Sequence, residues 1–147
     1  MHESDYHTLK GYELADNCTI TFAMEDYLEM IFRLSLGGIN PVRIKQLADS
    51  LNVTPSAASK MADNLKSLEL INYERYGLIT MTDKGNLLGR TLIARHETVN
   101  RFLCLINRSE DELEETEKIE HYLSKRTVAN MEKFINGFVN SDSDIEK

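Results

Sequence analysis

In the stretch Glu115-Thr116-Glu117-Lys118-Ile119-Glu120-His121, three side chains able to hold a metal ion fall within five residues. At about 100° per residue, Glu117, Glu120 and His121 share one narrow arc of a helix, while Ile119, Tyr122 and Leu123 face the other way. Carboxylates with a minority of imidazole form a donor set for a hard divalent cation. The same pattern taken alone describes a solvated acidic face on an amphipathic helix. The two readings part on whether other segments bring further donors to this arc.

Further donors are few. Asp26 and Glu29, three apart, share the more polar side of an early helix, where the plainer alternative is an exposed Glu29–Arg33 ion pair of little energetic weight. His96 sits in the middle of a long helical stretch, a place where a single histidine ordinarily serves as a hydrogen-bonded structural residue. His2 and His7 lie near the start of the chain and read as solvated. Cys18 and Cys104 are too few and too far apart for a disulfide framework or a thiolate metal site, and Cys104 reads as a small core residue.

The elements that must position these groups follow from periodicity. A chain of 147 residues accommodates one compact domain or two small ones sharing a core. The first nineteen residues lack sustained periodicity and read as an arm. From residue 20 to about 35, Met24, Tyr27, Leu28, Ile31 and Leu34 recur at helical spacing and predict a first helix ending before Gly37-Gly38. After the break at Asn40-Pro41, Val42-Arg43-Ile44 predicts a very short strand, and Ile44, Leu47, Ala48 and Leu51 predict a short second helix. Thr54-Pro55 places a capping hydroxyl before a proline at the first position of a third helix reaching about Leu68, with Ala58, Met61, Leu65 and Leu68 inward. Short helix, tight turn and longer helix make a helix-turn-helix.

At the start of that third helix the exposed Ser56, Ala57, Ser59 and Lys60 are small or hydrogen-bonding, so they can approach base edges and phosphates closely. Residues 71–74 and 78–81 are β-prone runs joined by Arg75-Tyr76-Gly77, a hairpin with glycine where the turn needs it. A hairpin directly after a helix-turn-helix makes a winged helix, with Arg75 at the wing tip able to reach phosphate or minor groove. Arg43, Thr54, Pro55 and Tyr76 complete the predicted DNA-facing set. Folds of this kind usually bind DNA, and some serve only as protein-docking modules. The net charge of −7 argues against a general nucleic-acid binder, but residues 1–40 carry −5, residues 41–90 carry +2 and residues 91–147 carry −4, so any phosphate-facing surface belongs to the middle third.

Thr82 or Asp83 caps a long fourth helix to about Ile106, with Leu87, Leu88, Leu92 and Val99 as buried candidates. Ser109-Glu110-Asp111-Glu112 predicts a capping box opening a fifth helix. Such a box accounts for the acidic residues 110–114 without a metal, but not for Glu117, Glu120 and His121. A sixth helix begins at Thr127, and its apolar stripe of Val128, Met131, Phe134, Ile135 and Phe138 either closes the core or buries against a second copy. From Ser141 the chain reads as a polar, frayed tail. With no membrane-spanning run and no leader in view, the expectation is a cytoplasmic protein without membrane contact.

Several of these motifs, in this order, resemble the diphtheria-toxin-repressor family of metal-activated transcription regulators, and within it the compact manganese-sensing, MntR-like branch. The resemblance spans roughly residues 21–140. It rests on Met24-Glu25-Asp26-Tyr27-Leu28-Glu29, Val53-Thr54-Pro55-Ser56 with Lys60-Met61, and Tyr73-Glu74-Arg75-Tyr76-Gly77. Arg95-His96-Glu97 with Phe102-Leu103, and Glu117-Lys118-Ile119-Glu120-His121-Tyr122-Leu123-Ser124, complete it.

The resemblance implies a mainly α fold with a small β-wing: an arm over 1–19, a winged helix-turn-helix DNA-binding domain over 20–83, a helical metal-binding and dimerisation domain over 84–140, and a tail over 141–147. It places metal ligands on Asp26, Glu29, His96, Glu117, Glu120 and His121. The iron-type branch has methionine where Asp26 stands and cysteine where Glu117 stands, so the donor set here speaks for manganese, with iron, cobalt and zinc as alternatives. Asn100 stands where the iron branch has a carboxylate ligand, so that branch's second site is not expected unchanged. Its SH3-like third domain does not fit this length.

The four ligand carboxylates bring −4, which two divalent ions per subunit would neutralise. Without ions, two carboxylates 4 Å apart repel by about 4 kcal/mol at an effective dielectric near 20. The first helix is then expected to sit loosely until a metal ties it to the fourth and fifth, fixing two recognition helices of a homodimer on a palindromic operator in double-stranded DNA. The expected function is a manganese-activated repressor of metal-uptake genes, with no enzyme activity and no small-molecule substrate. The alternatives are an iron- or zinc-responsive repressor of the same fold, a two-metal hydrolase, for which no nucleophile or general base is left once the ligands are assigned, and a metal-independent winged-helix regulator.

Overall fold

The computed structural model describes residues 20–145. The predicted arm, with His2, His7 and Cys18, lies outside the described residues. Helix α1 spans Phe22–Leu34 and is capped by the Thr21 hydroxyl, which accepts the Met24 N–H at 3.2 Å. Strand β1 (Val42–Arg43) leads into α2 (Ile44–Leu51), and α3 (Pro55–Ser67) follows after Thr54, whose hydroxyl accepts the Ala57 N–H at 3.1 Å. Strands β2 (Ile71–Tyr73) and β3 (Leu78–Met81) form the wing.

The sheet order is β1-β3-β2, all antiparallel, with Tyr73 opposite Ile79 on one side and Val42 opposite Ile79 on the other. Ile79 thus pins both pairings and is fully buried among Leu28, Ile31, Leu47, Ala58 and Leu65. The expected inward face of α3 is correct at Ala58 and Leu65, with Met61 and Leu68 packed against the edge of that core.

Helix α4 (Asp83–Asn107) is capped by Thr82 and packs along α1. Gly89 permits the approach, since a Cβ there would lie 2.6 Å from the Phe32 ring. This crossing carries the α1 carboxylates to the middle of α4. Of the four predicted buried leucine and valine positions, Leu92 and Val99 are buried and Leu88 packs on the core, but Leu87 is exposed.

Two further local expectations need correction. The fifth helix, α5, spans Leu113–Ile119 and starts later than a Ser109 cap requires: the Ser109 hydroxyl donates to the Glu112 carboxylate, and Asp111 accepts the Leu113 N–H at 2.9 Å. Helix α6 spans Lys125–Ile145, so it begins before Thr127, with the Ser124 hydroxyl accepting the Thr127 N–H at 3.1 Å. It also continues through residues 141–145, which were expected to form a tail. Between α5 and α6 lies a short 3₁₀ turn, Glu120–Tyr122.

Candidate metal centre and DNA interface

The expectation of one helical arc holding Glu117, Glu120 and His121 is not met. Helix α5 ends at Ile119, and the tighter 3₁₀ turn swings the last two donors apart. Glu120 points inward and is 0% exposed, whereas Glu117 stays at the surface. His96 Nδ1 lies 3.3 Å from Glu120 Oε2 and 3.4 Å from Glu117 Oε1. Glu29, from α1, joins them: donor atoms of Glu29, His96 and Glu120 all lie within 4.8 Å of one another, and all three residues are buried. A cleft of about 400 Å³ lined by Asp26, Glu29, His96 and Glu117 opens beside this cluster.

His121 turns instead towards the start of α1. Its Nε2 lies 2.8 Å from Asp26 Oδ1, and its Nδ1 lies 3.1 Å from Arg95 Nη2 and 3.7 Å from Glu25 Oε2. Arg95 also pairs with Glu25 at 2.7 Å and reaches within 4.0 Å of Glu120. The six expected ligands therefore fall into two adjoining groups, Glu29/His96/Glu117/Glu120 and Asp26/His121, with the Arg95 guanidinium between them.

These charges shift one another. Burial, and then the Glu29 carboxylate, push the Glu120 carboxyl above its ordinary value against the pull of His96 and Arg95. Hydrogen bonds to Asp26 and then Glu25 outweigh burial at His121 and hold it up at about 10. Burial acts to raise Glu25, but His121 and Arg95 prevail and the group ends below its ordinary value. Both Glu120 oxygens and His96 Nδ1 are buried without a hydrogen-bond partner. Such groups are costly to leave unmatched, and together they present the oxygens and nitrogen that a divalent cation takes. The residues present fit a metal ion. The plainer Glu29–Arg33 pair does form, at 3.0 Å, but Glu29 is buried rather than exposed.

A second cleft, of about 790 Å³, separates α3 from the wing. Arg43, Pro55, Ser56, Ser59, Lys60, Arg75 and Tyr76 line it, while Thr54 and Ala57 stand exposed at the start of α3 outside it. Lys45, which no sequence motif marks, adds a fourth cation to the cleft, whose lining also includes Asp63. Ser59 is less free than its position suggested, because its hydroxyl shares a 2.7 Å hydrogen bond with Tyr73. At the wing tip the left-handed position is taken by Tyr76 (φ 64°), not by glycine. Gly77 is needed for a different reason: a Cβ there would meet the Glu74 carbonyl oxygen at 2.9 Å. Tyr76 is 93% exposed, with the Arg75 guanidinium 5.3 Å from its ring centre.

The profile of the iron dependent repressor N-terminal DNA binding domain matches residues 19–78, and that of the iron dependent repressor metal binding and dimerisation domain matches residues 82–144. The chain belongs to the iron dependent repressor family. Similar proteins include the HTH-type transcriptional regulators MntR of Oceanobacillus iheyensis, 32% identical over 86% of both chains, and of Bacillus subtilis, 33% identical over 84% of this chain and 87% of that one. Among solved structures, the manganese regulator SloR superposes with a TM-score of 0.65 at 30% identity, over 77% of this chain. ScaR with bound Zn2+ gives 0.65 at 28% identity over the same share. The chain spans about half the length of these two, 53% in each case.

As a member of the iron dependent repressor family the chain is a transcription regulator, not an enzyme, with one domain for DNA and one for metal and self-association. Among the described residues no helix is long and apolar enough to cross a membrane. The stripe on α6 divides: Ile135 is buried within the chain, Val128 and Met131 are half-buried, and Phe134 and Phe138 are exposed, with Phe134 edge-on to Phe102 at 5.7 Å. Glu25 and Arg95 both stand inside the motifs that carry the resemblance, each one residue before an expected ligand, yet no spacing in the sequence marks them. Helical periodicity could not single them out, because their partnership spans two helices.

Proposed function

We propose that this chain is a manganese-activated, homodimeric transcriptional repressor of metal-uptake genes, acting in the cytoplasm on a palindromic operator. The observation that carries the reading is the buried Glu29, His96 and Glu120 cluster, whose Glu120 oxygens lack hydrogen bonds and which draws on both the family's DNA-binding and metal-binding domains. Asp26, Glu29, His96, Glu117, Glu120 and His121 hold the metal. Their four carboxylates balance two divalent ions per subunit. Oxygen donors with two imidazoles and no thiolate suit a hard, six-coordinate cation such as manganese; selectivity then comes from geometry, because an N/O site binds manganese most weakly of the first-row divalents, and the similar SloR is a manganese regulator. Iron, cobalt and zinc are the alternatives, since ScaR has been solved with zinc.

A bound ion supplies the positive charge that offsets repulsion among these carboxylates. Asp26 and Glu29 belong to α1 and so to the winged helix; His96, Glu117, Glu120 and His121 belong to the elements after residue 83. Holding both sets together fixes α3 relative to the dimerisation surface, which Phe134 and Phe138 with Val128 and Met131 supply. Two copies then present α3 at half-sites roughly 34–36 Å apart. Arg43, Lys60 and Arg75 meet phosphates, Ser56 and Ala57 approach base edges, Thr54 and Pro55 set the start of α3, Ser59 supports it through Tyr73, and Tyr76 extends the wing.

The test uses a duplex selected by the protein from random-sequence DNA in the presence of manganese. Affinity is expected to fall at least tenfold in chelator and to recover with manganese. Tighter binding with iron or zinc at metal levels that cells maintain overturns the choice of metal. Equal binding in chelator and in manganese overturns metal control altogether.

A further inference from the structure

Helix α1 begins with an aromatic ring seated on the metal-binding turn. The Phe22 ring stacks on the His121 ring with centroids 5.1 Å apart and planes 22° from parallel, and it meets Tyr122 edge-on at 4.7 Å. Phe22 lies in the segment matched to the DNA-binding domain, and His121 and Tyr122 lie in the segment matched to the metal-binding domain. The contact therefore joins the same two parts of the molecule as the candidate metal cluster, but it requires no ion. It also covers one face of the imidazole: the His121 side chain is 8% exposed, with Nε2 aimed at Asp26 and Nδ1 at Arg95.

We propose that Phe22 is a positioning residue, a metal-independent tether that holds α1 on the Glu120–Tyr122 turn and sets the plane of the His121 ring. The inference rests on the proposed metal-activated reading and deepens it. Stacked and edge-on aromatic pairs favour the docked arrangement of α1 whether or not metal is bound. In a protein that exchanges between docked and loosened α1, such a tether sets how much of the docked form exists before metal arrives. Its loss is repaired when saturating metal holds α1 by other contacts. A general folding defect, by contrast, weakens the loaded and ion-free forms alike.

The experiment compares wild type with Phe22→Ala, Phe22→Leu and Phe22→Tyr. Manganese alone is titrated by electron paramagnetic resonance, and binding to the selected duplex is measured in chelator and at saturating manganese. For Phe22→Ala, manganese affinity and ion-free duplex affinity are each expected to drop about three- to tenfold, the weight of an aromatic pair, with duplex affinity at saturating manganese within twofold of wild type. Phe22→Leu is expected to follow Phe22→Ala, and Phe22→Tyr, which keeps the ring, to follow wild type. The His121 ring protons of the ion-free protein are expected to move downfield when the stacked ring is removed. Phe22→Leu equal to wild type, or equal losses with and without manganese, overturns the tether. A wild-type protein indifferent to manganese overturns the functional reading instead.

Discussion

His96 Nδ1 and Glu120 Oε2 lie 3.3 Å apart, and neither has a hydrogen-bond partner. An acidic side chain held wholly out of water beside another carboxylate is a poor way to stabilise a fold and a good way to bind a cation. The most direct consequence concerns Glu120→Gln. Removing the charge relieves the burial penalty and the repulsion from Glu29, so the unfolding temperature of the ion-free fold is expected to rise. The same change is expected to abolish stabilisation by added manganese. Melting curves in chelator and in manganese check both halves, and a variant that manganese stabilises as strongly as wild type would remove Glu120 from the ligand set.

Proton linkage at His121 follows from its neighbours. Its folded value of about 10 lies above the ordinary 6.5, so pairing with Asp26 and Glu25 stabilises the ion-free protein fully below pH 6.5 and is lost as pH rises through about 10. A ligand nitrogen must be deprotonated, so metal uptake at neutral pH is expected to release a proton from His121. Calorimetry in buffers of differing ionisation enthalpy measures that release. Wild type is expected to release about one proton more than His121→Gln, and identical counts would refute His121 as a ligand.

On the DNA side, Lys60 of α3 and Arg75 of the wing both line the same cleft. Replacing either by Ala is expected to weaken the selected duplex and non-selected DNA alike, and to reduce the slope of log affinity against log salt by about 1. Salt titrations on both duplexes decide the matter. A loss confined to the selected duplex would assign the residue to base reading instead.

The α6 stripe allows folding and the proposed association to be tested separately. Phe138→Glu places a charge on an exposed ring position and is expected to shift sedimentation from dimer to monomer with little change in the secondary structure of the chain. Ile135→Ala removes a side chain buried within the chain and is expected to cost about 2–4 kcal/mol in unfolding experiments whatever the protein concentration. A dimer unaffected by Phe138→Glu would move the interface elsewhere.

Much of this protein is fixed by local chemistry that can be read along the chain. Thr54-Pro55 starts α3 where expected, Thr82 caps α4, and the runs over 71–74 and 78–81 pair as the two wing strands. The donor types were legible as well, since Asp26, Glu29, His96, Glu117, Glu120 and His121 stand in recognisable motifs. Periodicity erred at the end of α5, which tightens into a 3₁₀ turn at Glu120, and turn chemistry erred at the wing tip, where Tyr76 occupies the left-handed position assigned to glycine. The first goes with the burial of Glu120 beside Glu29 and His96, which no spacing rule contains; the second is local, set by the close approach of Gly77 to the Glu74 carbonyl.

Taken alone, the sequence determined which atoms were available: hard oxygen donors, two imidazoles near them and a basic stretch between residues 41 and 90. Tertiary structure decided how those atoms are shared. Only the crossing of α1 on α4 buries Glu29 beside Glu120, and only the turn after Ile119 sends His121 to Asp26 and under Phe22. The physical reason is that charge repulsion, desolvation and ring stacking act through space between segments up to about a hundred residues apart, whereas caps, turns and amphipathic faces act within a few.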